Sequence, residues 1–82
     1  MAVGYHVTEI AKGEIGELSK IVEEFEEFKD AHAQNCKVME LVELCDMLGA
    51  IEEYIKKYNM TLKDLKQFSD ITKRAFLNGQ RK

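Results

Sequence analysis

The chain has 82 residues, of which 45% are hydrophobic and 33% charged, and its formal net charge is −3. A chain of this length forms one domain at most and buries a smaller share of its surface than a larger domain does. The acidic balance argues against a nucleic-acid partner, and frequent acids interrupt every apolar stretch before it could span a membrane. Two cysteines and the lack of a signal-peptide pattern predict a cytoplasmic protein with reduced thiols.

An all-α fold is expected, because proline is absent and five glycines are too few turn-forming residues to separate many short strands. Residues 1–12 show no clear period and are expected to form an N-terminal arm of a single domain spanning residues 1–82. Apolar residues at spacings of three and four then predict helices over about 13–32, 38–58 and 61–76.

The third helix carries signals at both ends. Thr61 followed by Asp64 predicts a capping box, and Asn78 with Gly79 predicts a stop. Three short helices joined by short connections favour an antiparallel protomer. Apolar residues on several sides of these helices exceed what one copy can cover, so we expect a homodimer or homotetramer.

The segment EEFEEFKDA, residues 23–31, gathers acids around one phenylalanine. Like charges three and four residues apart on a helix repel unless a cation or a partner offsets them. On a helical wheel Glu24 and Glu27 share one side of the first helix, at the edge of its apolar stripe. Taken alone, such acids are more often a solvated helix flank.

The second helix raises a sharper question. VMELVELCDMLGAI, residues 38–51, is apolar on nearly every side, as in a helix surrounded by protein, yet it contains Glu43 and Asp46. Burying an unpaired carboxylate costs several kcal/mol or forces it to take up a proton. Either Lys73 and Arg74 of the third helix form a buried ion pair with these acids, or Mg²⁺ binds between one acidic pair from each helix.

EEFEE followed by ELCD resembles the EExxE and ExxD signature of the MazG-like nucleoside triphosphate pyrophosphohydrolases, an all-α superfamily, with fifteen residues between Glu27 and Glu43. SDITKRAF is similar to the basic stretch of the family's last helix, and KGEIGELSKI is similar to its short, phage-type branch. The resemblance covers about residues 12–81.

The resemblance implies Mg²⁺-dependent cleavage between the α and β phosphates of a nucleotide, giving a monophosphate and pyrophosphate, with Mn²⁺ as a substitute metal. It also implies that protomers pair to build a four-helix-bundle-like core. It makes Glu23 an outer or water-activating acid, and Tyr54 is a candidate contact for the base. The implied metal ligands are Glu24, Glu27, Glu43 and Asp46, and the implied phosphate contacts are Lys73 and Arg74.

Two other functions stay open. The same scaffold could hold a nucleotide without turning it over, and release of pyrophosphate under Mg²⁺ would separate this from an enzyme. A purely structural helical oligomer, with its acids in an ion-pair network, predicts no response to metal. His6 and His32 have no metal-ligand spacing and are expected to be exposed or locally bonded imidazoles.

Overall fold

The computed structural model describes residues 6–79, and the regular structure in that range is entirely helical. The all-α prediction is therefore confirmed. The first five residues of the expected arm lie outside the described range, and residues 6–14 run without regular structure. Within the described range, no helix combines the length and apolarity needed to cross a membrane. The elements are α1 (Leu18–Ala33), α2 (Lys37–Ile55), a 3₁₀ helix (Lys56–Tyr58) and α3 (Leu62–Leu77).

The first helix begins at Leu18, later than the periodicity predicted. Gly16 has a φ of 87°, which a right-handed helix does not allow, so the chain turns there before the helix starts. Gly13 lies so close to the first turn of α1 that a Cβ would collide with the backbone of Ser19 and Lys20. The segment before α1 therefore folds back over the start of the helix.

Asn35 ends the first helix in a left-handed conformation, with a φ of 57°. The Cys36 N–H donates to the carbonyl of Ala31 at 3.4 Å, and the Asn35 N–H donates to that of His32 at 2.9 Å. These are the two bonds of a Schellman motif, in which asparagine can take the place of glycine. Because α2 begins at Lys37, the short connection turns α2 back to pack against α1.

The same device follows α2. Asn59 has a φ of 58° after the 3₁₀ helix, and the Met60 N–H donates to the carbonyl of Ile55 at 3.4 Å. The predicted capping box then opens α3: the Thr61 hydroxyl accepts from the Asp64 N–H at 3.2 Å, and the Asp64 carboxylate accepts from the Thr61 N–H at 3.0 Å. The predicted capping box at Thr61 is therefore confirmed.

The third helix does not pack along α1 or α2. The radius of gyration is 14.7 Å, whereas a compact chain of this length has about 12 Å. The protomer thus differs from the expected three-helix bundle: it is a two-helix hairpin followed by a helix that extends away from it.

Apolar side chains contribute little to the interior of the described chain. Among hydrophobic residues only Ala31, Ala50 and Ile55 are buried in residues 6–79. The second helix, expected to be surrounded by protein, packs against protein on its α1 side and leaves large apolar residues exposed elsewhere. The remaining buried side chains belong to acids, namely Glu23, Glu24, Asp30 and Glu43.

Candidate metal centre between the two packed helices

Four carboxylates meet where α1 and α2 pack together, two from each helix. Glu24 and Glu27 lie one turn apart on α1 and share a face of that helix. Glu43 and Asp46 have the same relation on α2. Each offers one carboxylate oxygen, and these four oxygens all lie within 4.8 Å of one another. The structure thus brings together the two predicted acidic pairs, which we call the acidic cluster.

The acidic cluster is covered by protein on one side and open on the other. Glu43 is 1% exposed and Glu24 is 5% exposed, and the side chain of Glu27 is 16% exposed. Asp46, in contrast, is exposed. Asp46 was expected to lie on a helix surrounded by protein, but within the described chain α1 covers only one side of α2. An ion or a ligand could therefore reach the cluster past Asp46.

Lys20 places a cation beside the cluster, which the sequence analysis did not identify. Its Nζ lies 3.0 Å from Oε2 of Glu24 and 3.1 Å from Oε1 of Glu23. These hydrogen bonds raise the pKa of Lys20, so it stays protonated. Acids three and four residues after a lysine on one helix are a recognisable pattern, and that spacing could have revealed the contact.

Glu23 is buried, but its carboxylate is not one of the four that converge. Its Oε1 accepts a hydrogen bond from the Gly13 N–H at 2.8 Å, and its Oε2 lies 3.5 Å from Nζ of Lys12. Burial alone raises the pKa of Glu23, but the bonds from Gly13 and Lys20 outweigh burial and lower it. Glu23 therefore anchors the segment before α1.

One buried oxygen of the cluster, Oε1 of Glu24, has no hydrogen-bond partner in the described part of the chain. Leaving a buried polar group unsatisfied costs about 1–3 kcal/mol, and more for a charged group. A divalent cation would satisfy this oxygen. The four donors are all carboxylate oxygens, which are the ligands that Mg²⁺ and Mn²⁺ prefer.

The electrostatics of Glu27 reflect the crowding of these charges. Its burial, the charge of Glu24 and its hydrogen bond with Glu43 together raise its pKa from 4.5 to about 7. A proton on Glu27 therefore offsets part of the repulsion in the metal-free cluster. A bound cation would do the same and would compete with that proton.

The imidazole of His6 lies against the cluster. Its Nε2 is 3.2 Å from Oε2 of Glu43 and 3.8 Å from Oε1 of Glu27, and its Nδ1 is 2.8 Å from Oδ2 of Asp30. Burial alone lowers the pKa of His6, but the bond to Asp30 and the charges of Glu43 and Glu27 outweigh burial and raise it. The prediction of an exposed or locally bonded ring is wrong for His6, whereas His32 is exposed.

Asp30 fastens the chain that precedes α1 to the helix. Its side chain is 1% exposed, and it accepts hydrogen bonds from the N–H groups of Val7 and Thr8, at 3.1 and 3.2 Å. The Thr8 hydroxyl and the Gln34 amide also donate to it, at 2.9 and 3.0 Å. Burial alone raises the pKa of Asp30, but these bonds and that of His6 lower it to about 2. An ionised Asp30 thus holds His6 beside the cluster.

The two basic residues assigned to phosphate lie on α3, away from the cluster. Lys73 and Arg74 are exposed and lie near Asp70 on the same helix. No ion pair joins either of them to the cluster within residues 6–79. The cations that do contact the acids are Lys20 and His6, so the ion-pair alternative now depends on those two residues.

Tyr54, the candidate base contact, lies on the same face of α2 as Glu43. Tyr54 lies eleven positions after Glu43, so it is about 16 Å further along the helix. Its ring packs edge-to-face against Tyr58 with centroids 5.9 Å apart, and Nζ of Lys57 lies 4.0 Å from its centroid. A ligand would have to extend along α2 to reach both the cluster and Tyr54.

Comparison with protein-family models, curated proteins and solved structures finds no match for this chain. The described residues define a small all-helical protein with an acidic cluster between two packed helices.

Proposed function

We propose that this protein is a divalent-metal-dependent nucleotide pyrophosphohydrolase, as its resemblance to the MazG-like family implies. The observation that supports the proposal is the convergence of four carboxylate oxygens within 4.8 Å, contributed by two helices. A structural role does not require acids to be buried together, because buried like charges destabilise a fold. A metal ion that binds phosphate would account for burying these acids together.

The proposed reaction is attack of water on the α-phosphorus of a nucleotide. The water oxygen bonds to phosphorus, the bond to the oxygen bridging the α and β phosphates breaks, and pyrophosphate leaves with that electron pair. Bound Mg²⁺ would neutralise the phosphates, polarise the α-phosphate and lower the pKa of the attacking water. Glu24, Glu27, Glu43 and Asp46 would hold the metal, and Glu23 would act from outside by fixing Lys20.

The remaining part of the proposal concerns assembly. Protomers would pair through their exposed apolar surfaces into a homodimer or homotetramer with a four-helix core, because a lone chain leaves these surfaces in water. Exposed residues include Leu41 and Leu48 on α2 and Phe68 and Ile71 on α3. Contact of Lys73 and Arg74 with phosphate, and of Tyr54 with a base, would require α3 to dock against a hairpin in that assembly.

The test is release of monophosphate and pyrophosphate from a panel of canonical and modified nucleotides with Mg²⁺ or Mn²⁺. We expect at least one nucleotide to be hydrolysed and a chelator to abolish turnover. Glu24→Gln and Glu43→Gln should each lower the rate by about a hundredfold or more, because each removes a metal ligand. Glu26→Gln and Glu52→Gln change acids outside the cluster on the same helices and serve as controls.

Binding of nucleotides without release of pyrophosphate, across the whole panel, would instead indicate a sequestering module. An unchanged rate in Glu43→Gln would remove the acidic cluster from the reaction. No binding of metal or nucleotide by the wild-type protein would favour the structural oligomer.

A further inference from the structure

Two groups of possible metal ligands overlap at the cluster. One is the four-carboxylate group, and the other joins His6 to Glu27 and Glu43. We propose that His6, Glu27 and Glu43 form a nitrogen-containing subsite for a divalent transition-metal ion such as Co²⁺ or Zn²⁺. The inference rests on the proposed function in that it shares two of the proposed metal ligands, Glu27 and Glu43.

The distances suit coordination with little rearrangement. His6 Nε2 lies 3.2 Å from Glu43 Oε2 and 3.8 Å from Glu27 Oε1. Ligand bonds of about 2.1 Å place neighbouring ligand atoms about 3.0 Å apart in octahedral and about 3.4 Å apart in tetrahedral geometry. The 3.2 Å separation lies between these two spacings and the 3.8 Å separation exceeds them, so Glu27 would have to approach slightly for the three atoms to occupy corners of such a polyhedron.

Asp30 gives the imidazole the orientation that a metal ligand needs. Its Oδ2 lies 2.8 Å from Nδ1 of His6, which leaves Nε2 as the ring nitrogen facing Glu27 and Glu43. A carboxylate bonded to the outer nitrogen of a ligating histidine is the usual support of such ligands, since it fixes the ring and raises its basicity. Val7 and Thr8 donate to the same carboxylate and hold the chain that directly follows His6 against α1.

An independent observation also points to a cation at this place. Glu24 is only 5% exposed, and its Oε1 has no hydrogen-bond partner among the described residues. Glu24 is one of the four carboxylates of the acidic cluster, which shares Glu27 and Glu43 with the subsite.

The identity of the donors decides which ion the subsite favours. Mg²⁺ takes oxygen ligands and keeps several waters, whereas imidazole is a good ligand for Co²⁺ and Zn²⁺. The acidic cluster alone would therefore accept Mg²⁺, and His6 would add affinity for the transition ions only. Replacing His6 should therefore weaken binding of the transition ions and leave the affinity for Mg²⁺ nearly unchanged.

The decisive experiment uses the full chain and reads the imidazole directly. The chain contains two histidines. In His32→Gln labelled with ¹⁵N-histidine, the imidazole signals therefore come from His6 alone. Adding Zn²⁺ should shift the Nε2 resonance of His6 to the position of a metal-bound nitrogen, while adding Mg²⁺ should leave it in place. This measurement needs no change at His6 and so does not depend on whether a His6 variant folds.

Calorimetric titration provides the second readout. His6→Gln should weaken binding of Co²⁺ and Zn²⁺ by about 10- to 100-fold, and Asp30→Asn should weaken it in the same direction. Both variants should bind Mg²⁺ within about threefold of wild type, because the four carboxylates remain. His32→Gln is the matched control and should bind every ion as wild type does.

An unshifted Nε2 resonance under saturating Zn²⁺ would overturn the subsite, as would equal losses for Mg²⁺ and Zn²⁺ in His6→Gln. Tighter binding of all ions by His6→Gln would also overturn it, because it would show that the ring occupies the metal's place. Failure of the subsite with intact Mg²⁺-dependent hydrolysis would leave the proposed function standing. Coordination by His6 without hydrolysis of any nucleotide would leave the subsite and refute the function.

Discussion

Replacing Glu27 by glutamine should stabilise the metal-free protein at alkaline pH and leave it unchanged at acidic pH. Glutamine resembles the protonated acid in shape, and its amide can donate to Glu43 as the protonated carboxyl group does. Because the folded-state pKa of Glu27 is raised from 4.5 to about 7, the folded protein holds this proton more tightly than the unfolded chain. Wild-type stability should therefore fall as pH rises between these two values.

The size of the effect follows from that shift. Each pKa unit corresponds to about 1.36 kcal/mol, which gives an upper bound of roughly 3 kcal/mol once Glu27 is ionised in both states. Water screens part of this repulsion on the open side of the cluster. We therefore expect Glu27→Gln to gain about 1–3 kcal/mol over wild type at about pH 8. For a domain of this size, each kcal/mol corresponds to roughly 4–8 °C in melting temperature.

Urea unfolding with a chelator present, at about pH 5 and about pH 8, measures the difference. Glu26→Gln removes the neighbouring acid, which pairs with Lys29 at 3.4 Å outside the cluster, and its difference in stability from wild type should change little with pH. Mg²⁺ or Mn²⁺ at ~100-fold excess over Kd should stabilise wild type by about 2.7 kcal/mol and the Glu27→Gln variant by much less. A Glu27→Gln variant less stable than wild type at the higher pH would refute the repulsion argument, because it would show that the carboxylate is stabilised by His6.

Three further variants test the fold. Asp30→Asn should lose about 1.5–3 kcal/mol in urea unfolding. It should also lose less stability than wild type as pH falls from about 4 towards 2; equal acid sensitivity would contradict this. Gly13→Ala should unfold at lower urea than wild type because its Cβ meets the backbone of α1, and an unchanged midpoint would remove that contact. Thr61→Ala should lower helix content by circular dichroism with a loss of about 1 kcal/mol. Sedimentation should give a mass above 9.5 kDa, and Leu48→Glu should shift it towards that value; a wild-type monomer at micromolar concentration would contradict the assembly.

The local features of the fold were readable from the sequence because each has a periodic or positional cause. Apolar spacing predicted three helices, the Thr61 and Asp64 pair predicted a capping box, and the polar break before α2 matches the turn at Asn35. The packing of α3 was not readable. Its apolar face predicts burial but does not state against which surface, so the sequence could not show that it leaves the hairpin.

The candidate site also combines features that local spacing predicts with contacts that it does not predict. Glu24 and Glu27 share a helix face by spacing alone, and the resemblance to a known signature matched them with the acids of α2. His6 meets Asp30 across 24 residues, and the chain between them includes a segment without regular structure, so no periodicity connects the two. The exposure of Asp46 was missed for a related reason: an apolar helix is expected to be surrounded by protein, and its pattern does not state which surface covers each side.

Acids make up much of the buried interior of the described chain, so the residues proposed to carry function also lower the stability of the fold. Apolar residues of similar volume at Glu43 or Glu24 would relieve repulsion, as replacement of buried charges often does. A library of variants selected only for heat resistance should therefore accumulate changes at these positions, whereas selection for growth that needs the protein should retain them. Positions that keep their acids when growth is selected, although apolar residues there would stabilise the fold, would identify the functional residues without a known substrate.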